Sequence, residues 1–309
     1  MTHSLTAAAT PTPGRTPRRT GPSHANSGYL FVLPFIIVFL TMLVLPLLYA
    51  AYLSMFREQL IGGSVFAGLD NYTRALGDDR LIGGVLRVAR FFAFQVPIML
   101  GLSLLAALAI DSGLLRFAKL FRVGIFVPYA VPAVVATLMW GYLYGPDFGP
   151  FAQLADKLGA AAPQFLSADN MLGSMANIVT WQFVGYNMII LYAALRAIPH
   201  DLYEAAAVDG AGAWRVAWSI KLPALRPALL LCLIFSVIGS FQLFAEPNLL
   251  QRLAPSVIDS GYTPNLYAYT LAFTGQEVNY AAAVSFLLGV VIIIASYTVL
   301  LATSRRSRG

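Results

Sequence analysis

Uncharged stretches of about 20 residues or more recur along this chain, at 29–55, 91–110, 123–146, 170–195, 227–245 and 278–304. A helix of about 20 apolar residues crosses a hydrocarbon core of roughly 30 Å. Lipid offers the backbone no water, so a crossing segment must satisfy its own N–H and C=O groups, and a helix does that. The 309 residues are 58% hydrophobic and only 11% charged, which excludes an ordinary water-soluble domain. The expectation is an all-α integral membrane protein in the lipid bilayer, with six transmembrane helices and both termini on one side.

Lys and Arg set the side. With the N-terminus cytoplasmic, the inside segments hold Arg15, Arg18, Arg19, Arg116, Lys119, Arg122, Arg196, Arg215, Lys221, Arg226, Arg305, Arg306 and Arg308, 13 of the 20 basic residues. The first external segment is a local exception, with Arg57, Arg74, Arg80, Arg87 and Arg90 partly offset by Glu58, Asp70, Asp78 and Asp79. The later external segments carry only Lys157 and Arg252. This bias explains the net charge of +6 as membrane topology, so no nucleic-acid partner is expected. Residues 1–28, rich in Thr, Pro, Ala and Arg and without apolar periodicity, read as a disordered cytoplasmic tail. The six-span membrane body is expected at 29–304, followed by a basic cytoplasmic end at 305–309.

One polar stretch between spans, 198–227, is too long and too patterned for a simple turn. Pro199 ends the preceding helix. Asp201 and Glu204 have capping-box spacing, and Gly210 suits a left-handed helix stop. A second short helix is expected over 213–221, closed by Leu222 and Pro223. On physical grounds alone this is equally a surface-lying amphipathic hairpin. Its pattern is Glu204, Ala205, Ala206, then Gly210, Ile220, Leu222 and Pro223. That pattern resembles the EAA loop of ABC importer permease subunits at all seven positions. The run IPHDLYEAAAVDGAGAW (198–214) is most similar to the carbohydrate-uptake branch, of maltose and glycerol-3-phosphate transporter type. GLDNYTRAL (68–76), VPYAVPAVVATLMWGYLYGPDFG (127–149), WQFVGYNMIILYAALRAIP (181–199), FQLFAEP (241–247) and YAAAVSFLLG (280–289) extend the resemblance over about 29–303. The segment NLLQRLAPSVIDSGYTPN (248–265) departs from the threonine- and glycine-rich loop of many relatives.

The resemblance implies a cytoplasmic ATPase-coupling loop formed by Glu204, Ala205, Ala206, Asp209, Gly210, Ile220, Leu222 and Pro223. It implies four kinds of partner: a second six-span permease, ABC ATPase subunits, an extracytoplasmic solute-binding protein and a sugar or related polyol. It also implies a bacterial inner-membrane location. The chain's own residues agree that any ATP and Mg belong to the partners. Its three lysines follow Ala118, Asp156 and Ile220, so none completes a phosphate-cradling Gly-Lys-Ser/Thr loop. His3, His24 and His200 form no metal spacing, no nucleophile elbow occurs, and Cys232 stands alone, so no catalytic residue is assigned.

Within the fourth span, at about 100° per residue, Asn177, Thr180, Trp181 and Asn187 fall in an arc of roughly 120°, with Gln182 off it. Amides and rings suit sugar hydroxyls and faces. Asn177, Trp181, Gln182, Asn187 and Gln242 are therefore candidate pathway residues, with interhelical hydrogen bonding as the alternative. Trp140, Tyr142 and Tyr144 read equally as an interfacial aromatic belt. Prolines and glycines in the spans read as packing points or as hinges. No span shows a buried ionisable residue, which disfavours a secondary transporter. That reading and a scaffold without cargo stay open at this level. A reporter fused after Arg308 is expected to read cytoplasmic and one near Asp156 external. An external reading after Arg308 would remove both the topology and the coupling role of the 198–227 loop.

Overall fold

The computed structural model describes residues 25–59 and 63–305, with side chains for 29–59 and 63–301. Residues 1–49 and 50–309 form two units. In the first unit, helix α1 (Ala25–Phe39) passes through a π turn (Leu40–Val44) into α2 (Leu45–Ser54), which continues past Tyr49 into the second unit. Thr41 Oγ1 donates to the Ile37 carbonyl one turn back (2.7 Å), so its hydroxyl is satisfied without water. The stretch Tyr29–Ser54 is long and apolar enough to cross a membrane. The helix starts at Ala25, four residues inside the expected tail. The remainder of that tail, and residues 306–309 of the basic end, lie outside the described residues.

The second unit takes in the end of α2 and continues with an antiparallel hairpin, β1 (Phe56–Gln59) and β2 (Gly63–Phe66), then α3 (Asp70–Leu76). Asn71 Nδ2 donates to the carbonyls of Ser54 (2.9 Å) and Phe56 (2.7 Å), tying α3 under the hairpin. Helix α4 (Asp79–Asp111) starts well before residue 91, the expected beginning of the second span. The cause is Asp78, whose Oδ1 accepts from the N–H groups of Arg80 (3.0 Å) and Leu81 (3.4 Å) and so caps the helix. Arg80, Arg87 and Arg90 thus belong to the projecting end of a helix, not to a loop.

The expected continuous third span is broken. Helix α5 (Ala118–Phe126) and the 3₁₀ turn Val127–Ala130 meet α6 (Ala133–Leu143) at 97°. Val131 precedes Pro132 and sits in extended conformation (φ −76°, ψ 126°), as the clash with a following proline ring dictates. Counting this bent pair as one crossing, six candidate spans are present among the described residues.

The other elements are α7 (Pro150–Lys157), α8 (Met171–Arg196), α9 (His200–Val208), α10 (Ala213–Val216), a π turn (Ala217–Lys221), α11 (Leu222–Phe241), α12 (Ala245–Leu250), α13 (Pro264–Phe273) and α14 (Val278–Arg305). Helix α8 is the hub. Its Met188, Leu191 and Leu195 pack with Ala107 and Ile110 of α4 and Leu225 and Cys232 of α11. Its Met171, Met175 and Ile178 pack with Leu250, Ile258 and Leu266, so the divergent 248–265 segment is a folded part of the core rather than a free loop. Tyr144 lies in the same cluster, 4% exposed, while Tyr142 is exposed.

Gly185 lets the broken span reach α8. A Cβ there would run into the Ile125 carbonyl and come within 2.6 Å of Phe126 Cα, both backbone atoms that cannot swing away. Gly173, on the same helix, has nothing within 4 Å of a Cβ position. Gly185→Ala is expected to destabilise the detergent-purified protein by about 1–3 kcal/mol, through overpacking. Gly173→Ala is expected to be neutral or to stabilise by up to about 1 kcal/mol. Equal melting midpoints for the two variants would show that the α5–α8 approach is not tight.

Candidate functional site

A cavity of about 310 Å³ opens between α4, α8, α11 and the α11–α12 bend. Helix α11 stops at Phe241, and the Gln242 N–H bonds back to the carbonyls of Ile238 (3.1 Å) and Gly239 (3.2 Å). The chain then turns through Leu243 and Phe244 into α12, which carries the stretch from Gln242 to Glu246 along one wall. Phe91, Phe183, Tyr186, Phe235 and Phe244 supply rings, while Gln95, Asn187, Ser236, Ser240 and Gln242 supply amides and hydroxyls. Such a wall of aromatic faces and neutral hydrogen-bonding groups suits a polyhydroxylated ligand.

The five candidate pathway residues separate. Asn187 and Gln242 line the cavity. Asn187 Nδ2 also donates to the Phe183 carbonyl (3.0 Å). Asn177, Trp181 and Gln182 do not line it. Asn177 Nδ2 donates to Tyr144 Oη (2.8 Å), and Trp181 meets Trp140 edge-on at 5.9 Å. Gln182 is buried, and its Nε2 donates to the Val131 carbonyl (2.8 Å), the backbone group exposed by the break in the third span. The arc of the fourth span therefore mixes cavity residues with interhelical bonds. Thr180 is of the second kind, accepting from Gln95 Nε2 (3.2 Å).

Sequence reasoning missed Gln95, Ser236, Ser240 and Glu246. Ser236 and Ser240 are one turn apart on α11, and Gln95 interrupts an apolar run, so a phase analysis of each span would have found them. Glu246 is a correction: it is 6% exposed, although no buried ionisable residue was expected. It follows the expected end of the fifth span by one residue, and only the fold brings it against the cavity.

The polar loop departs from expectation in two ways. Pro199 occupies the N-cap of α9, and no side chain caps the helix, so Asp201 is simply a first-turn acid. The second helix is not closed at Leu222 and Pro223: α10 runs through the π turn holding Ile220 straight into α11, with both residues in its first turn. Pro223, which has no N–H to donate, sits just beyond the π turn, where the regular helical ladder is already interrupted. The bend itself is as expected. Asp209 is the C-cap of α9, Gly210 has φ +70°, and the N–H groups of Gly210 and Ala211 return to the carbonyls of Ala207 (3.1 Å) and Ala206 (2.8 Å).

Ala205, Ala206 and Glu204 lie in the middle of α9. Glu204 is 70% exposed and meets only His200 Nδ1, at 3.0 Å. Val208 and Trp214 are exposed beside it. Lys221 anchors the loop, with its Nζ 2.6 Å from Asp111 Oδ2 at the end of α4, both side chains largely buried. It also sits over the Tyr203 ring of α9 (5.6 Å). Displacement of α9 therefore bears on α4 and α11, which both line the cavity.

Residues 99–306 match the family described as "Binding-protein-dependent transport system inner membrane component". The chain belongs to this family. As an inner membrane component it is a multi-pass membrane protein, and the scaffold reading falls away. It is 29% identical over 277 residues to the arabinooligosaccharides transport system permease protein AraP of Bacillus subtilis, covering 89% of this chain and 87% of AraP. It is 31% identical over 214 residues to the sn-glycerol-3-phosphate transport system permease protein UgpA of Brucella abortus, covering 69% of this chain and 73% of UgpA. Its fold matches a solved bacterial ABC transporter involved in import of the acidic polysaccharide alginate. The TM-score is 0.78 at 20% identity, over 90% of this chain and 95% of the other.

The cavity and the broken span make separable demands on this permease. Gln182→Leu is expected to lower the melting midpoint, because a buried carbonyl loses its donor at a cost of about 1–3 kcal/mol. Asn187→Ala is expected to keep assembly and lower transport. If Gln182→Leu melts as the wild type does, the Val131 carbonyl is satisfied by some other group.

Proposed function

We propose that this chain is one of two different six-span permeases of an ATP-driven importer for a sugar or related polyol in a bacterial cell membrane. A solute-binding protein delivers the cargo from outside, and ABC ATPase subunits that hold ATP and Mg drive the cycle. Both termini are cytoplasmic, following the bias of basic residues. A cytoplasmic tail up to residue 28, a permease domain at 29–304 and a basic end at 305–309 complete the layout.

One observation carries the reading. The exposed small-residue helix with Glu204 at its centre is tied through the buried Lys221–Asp111 pair to the helices that line the cavity. The resemblance of Glu204, Ala205, Ala206, Asp209, Gly210, Ile220, Leu222 and Pro223 to the EAA loop supports the ATPase as the partner that docks there. Closure of an ATPase dimer moves α9, and Lys221 passes that movement to α4 and α11. The cavity then alternates between outward and inward access. ATP biases the switch because its carrier subunits bind the two states with different affinity.

Glu204→Lys replaces attraction with like-charge repulsion toward a cationic partner residue, and loss of such an interfacial pair costs about 2–5 kcal/mol. Gly210→Val forces a β-branched residue into positive φ. Both variants are expected to insert in the membrane and to abolish uptake. Glu204→Lys is also expected to lose the ATPase subunit on purification. Wild-type uptake and ATPase retention in both would end the coupling assignment.

A further inference from the structure

Glu246 is the one charged residue among those lining the cavity. It is 6% exposed, and among the described residues no other side chain gives it a hydrogen bond or ion pair. A carboxyl group held away from water requires compensating donors. Lys, Arg and His are absent from the lining, so the wall itself supplies no cation. The neighbouring polar groups, Gln242, Ser240, Ser236, Asn187 and Gln95, are all uncharged.

On the reading of this chain as a sugar permease, we infer that Glu246 selects the cargo. Its oxygens accept from the hydroxyl groups of a neutral saccharide, and the cation-free wall rejects acidic ones. A hydroxylated ligand provides donors beyond the residue's own backbone N–H, and an ionised carboxylate is an acceptor only. An anionic cargo would be stripped of water beside a carboxyl group, with no Arg or Lys in the lining to replace that hydration. The assignment separates this cavity from one built for glycerol phosphate or a uronic acid polymer. It places selectivity in the permease as well as in the binding protein.

The test uses the complete importer in proteoliposomes: both permeases, the ATPase subunits and one fixed solute-binding protein. With the binding protein unchanged, a difference between wild type and variant belongs to this chain. Probes are neutral saccharides (lactose, arabinotriose and a panel of other di- to tetrasaccharides) and acidic ones (sn-glycerol-3-phosphate and an alginate trisaccharide). Glu246→Gln keeps the size and one acceptor. It is expected to lower uptake of the transported neutral saccharide at least tenfold, with assembly retained. Glu246→Asp, which keeps the charge but withdraws it by one methylene, is expected to fall between the two.

Neutral-saccharide uptake at wild-type rates in both variants would overturn the assignment while leaving the importer intact. So would wild-type import of either acidic probe at the neutral rate. Loss of the second permease on purification of Glu246→Gln would also overturn it, since the carboxyl would then be paired across the subunit interface. Absence of ATP-driven uptake for every saccharide in the wild type would overturn the importer reading itself.

Discussion

A backbone carbonyl at membrane depth must find a donor within the protein, and the Val131 carbonyl is where this chain meets that demand with a side chain. The prolines at 128 and 132 end one helix and start another, and the 97° turn between them leaves that oxygen outside either helical ladder. Gln182 Nε2, from α8, supplies the bond. Close approach makes this possible, because Gly185 lets the end of α5 lie directly on α8 with no side chain between. The bent third span is thus held from outside itself, and α8 can serve as a common wall for α4, α5 and α11.

The polar loop is joined to this frame through charge. Lys221 belongs to the π turn between the polar loop and α11, and Asp111 to the last turn of α4. Removing one member of a buried pair leaves the other uncompensated, which costs far more than losing an exposed pair. The contact therefore joins loop, α4 and α11 firmly, while Glu204, exposed on the other side of the loop, remains open to a partner. The absence of a break at Leu222 adds a second connection, since the loop runs into α11 as a continuous helix.

The other end is organised by one carboxylate. Asp78 caps α4 and also accepts from Tyr267 Oη (2.6 Å) and Tyr280 Oη (2.7 Å), drawing α13 and α14 to the start of α4. Burial alone would raise the pKa of Asp78, but the two phenols and two backbone N–H groups outweigh it and hold the group below the ordinary carboxylate range. Tyr267, buried and bonded to that anion, is pushed up to about 12. The contribution of Asp78 to stability is present above the ordinary carboxylate range and is lost as pH falls through its depressed folded value. Arg87 pins the 248–265 segment to the same helix, donating to the Tyr262 carbonyl (2.8 Å) and lying over its ring.

The number of spans, the positions of the fourth and sixth, the loop bend at Gly210 and the likeness to ABC importer permeases were all legible in the sequence. These rest on local causes: uninterrupted apolar length, a residue that tolerates positive φ, and a motif of fixed spacing. The break in the third span was only half legible, since prolines at membrane depth allow a kink without fixing its angle. The division of Asn177, Trp181, Gln182, Asn187 and Gln242 into structural and cavity residues was not legible. One amide can bond a backbone carbonyl or face a cavity with the same neighbours in sequence, and only the rotation and approach of separate helices decide which. Glu246 marks the same limit. Composition placed it at the edge of a span, and tertiary packing alone, which sets α12 against α6 beyond the interruption that follows α11, put its carboxyl on the cavity wall with no cation among the lining residues.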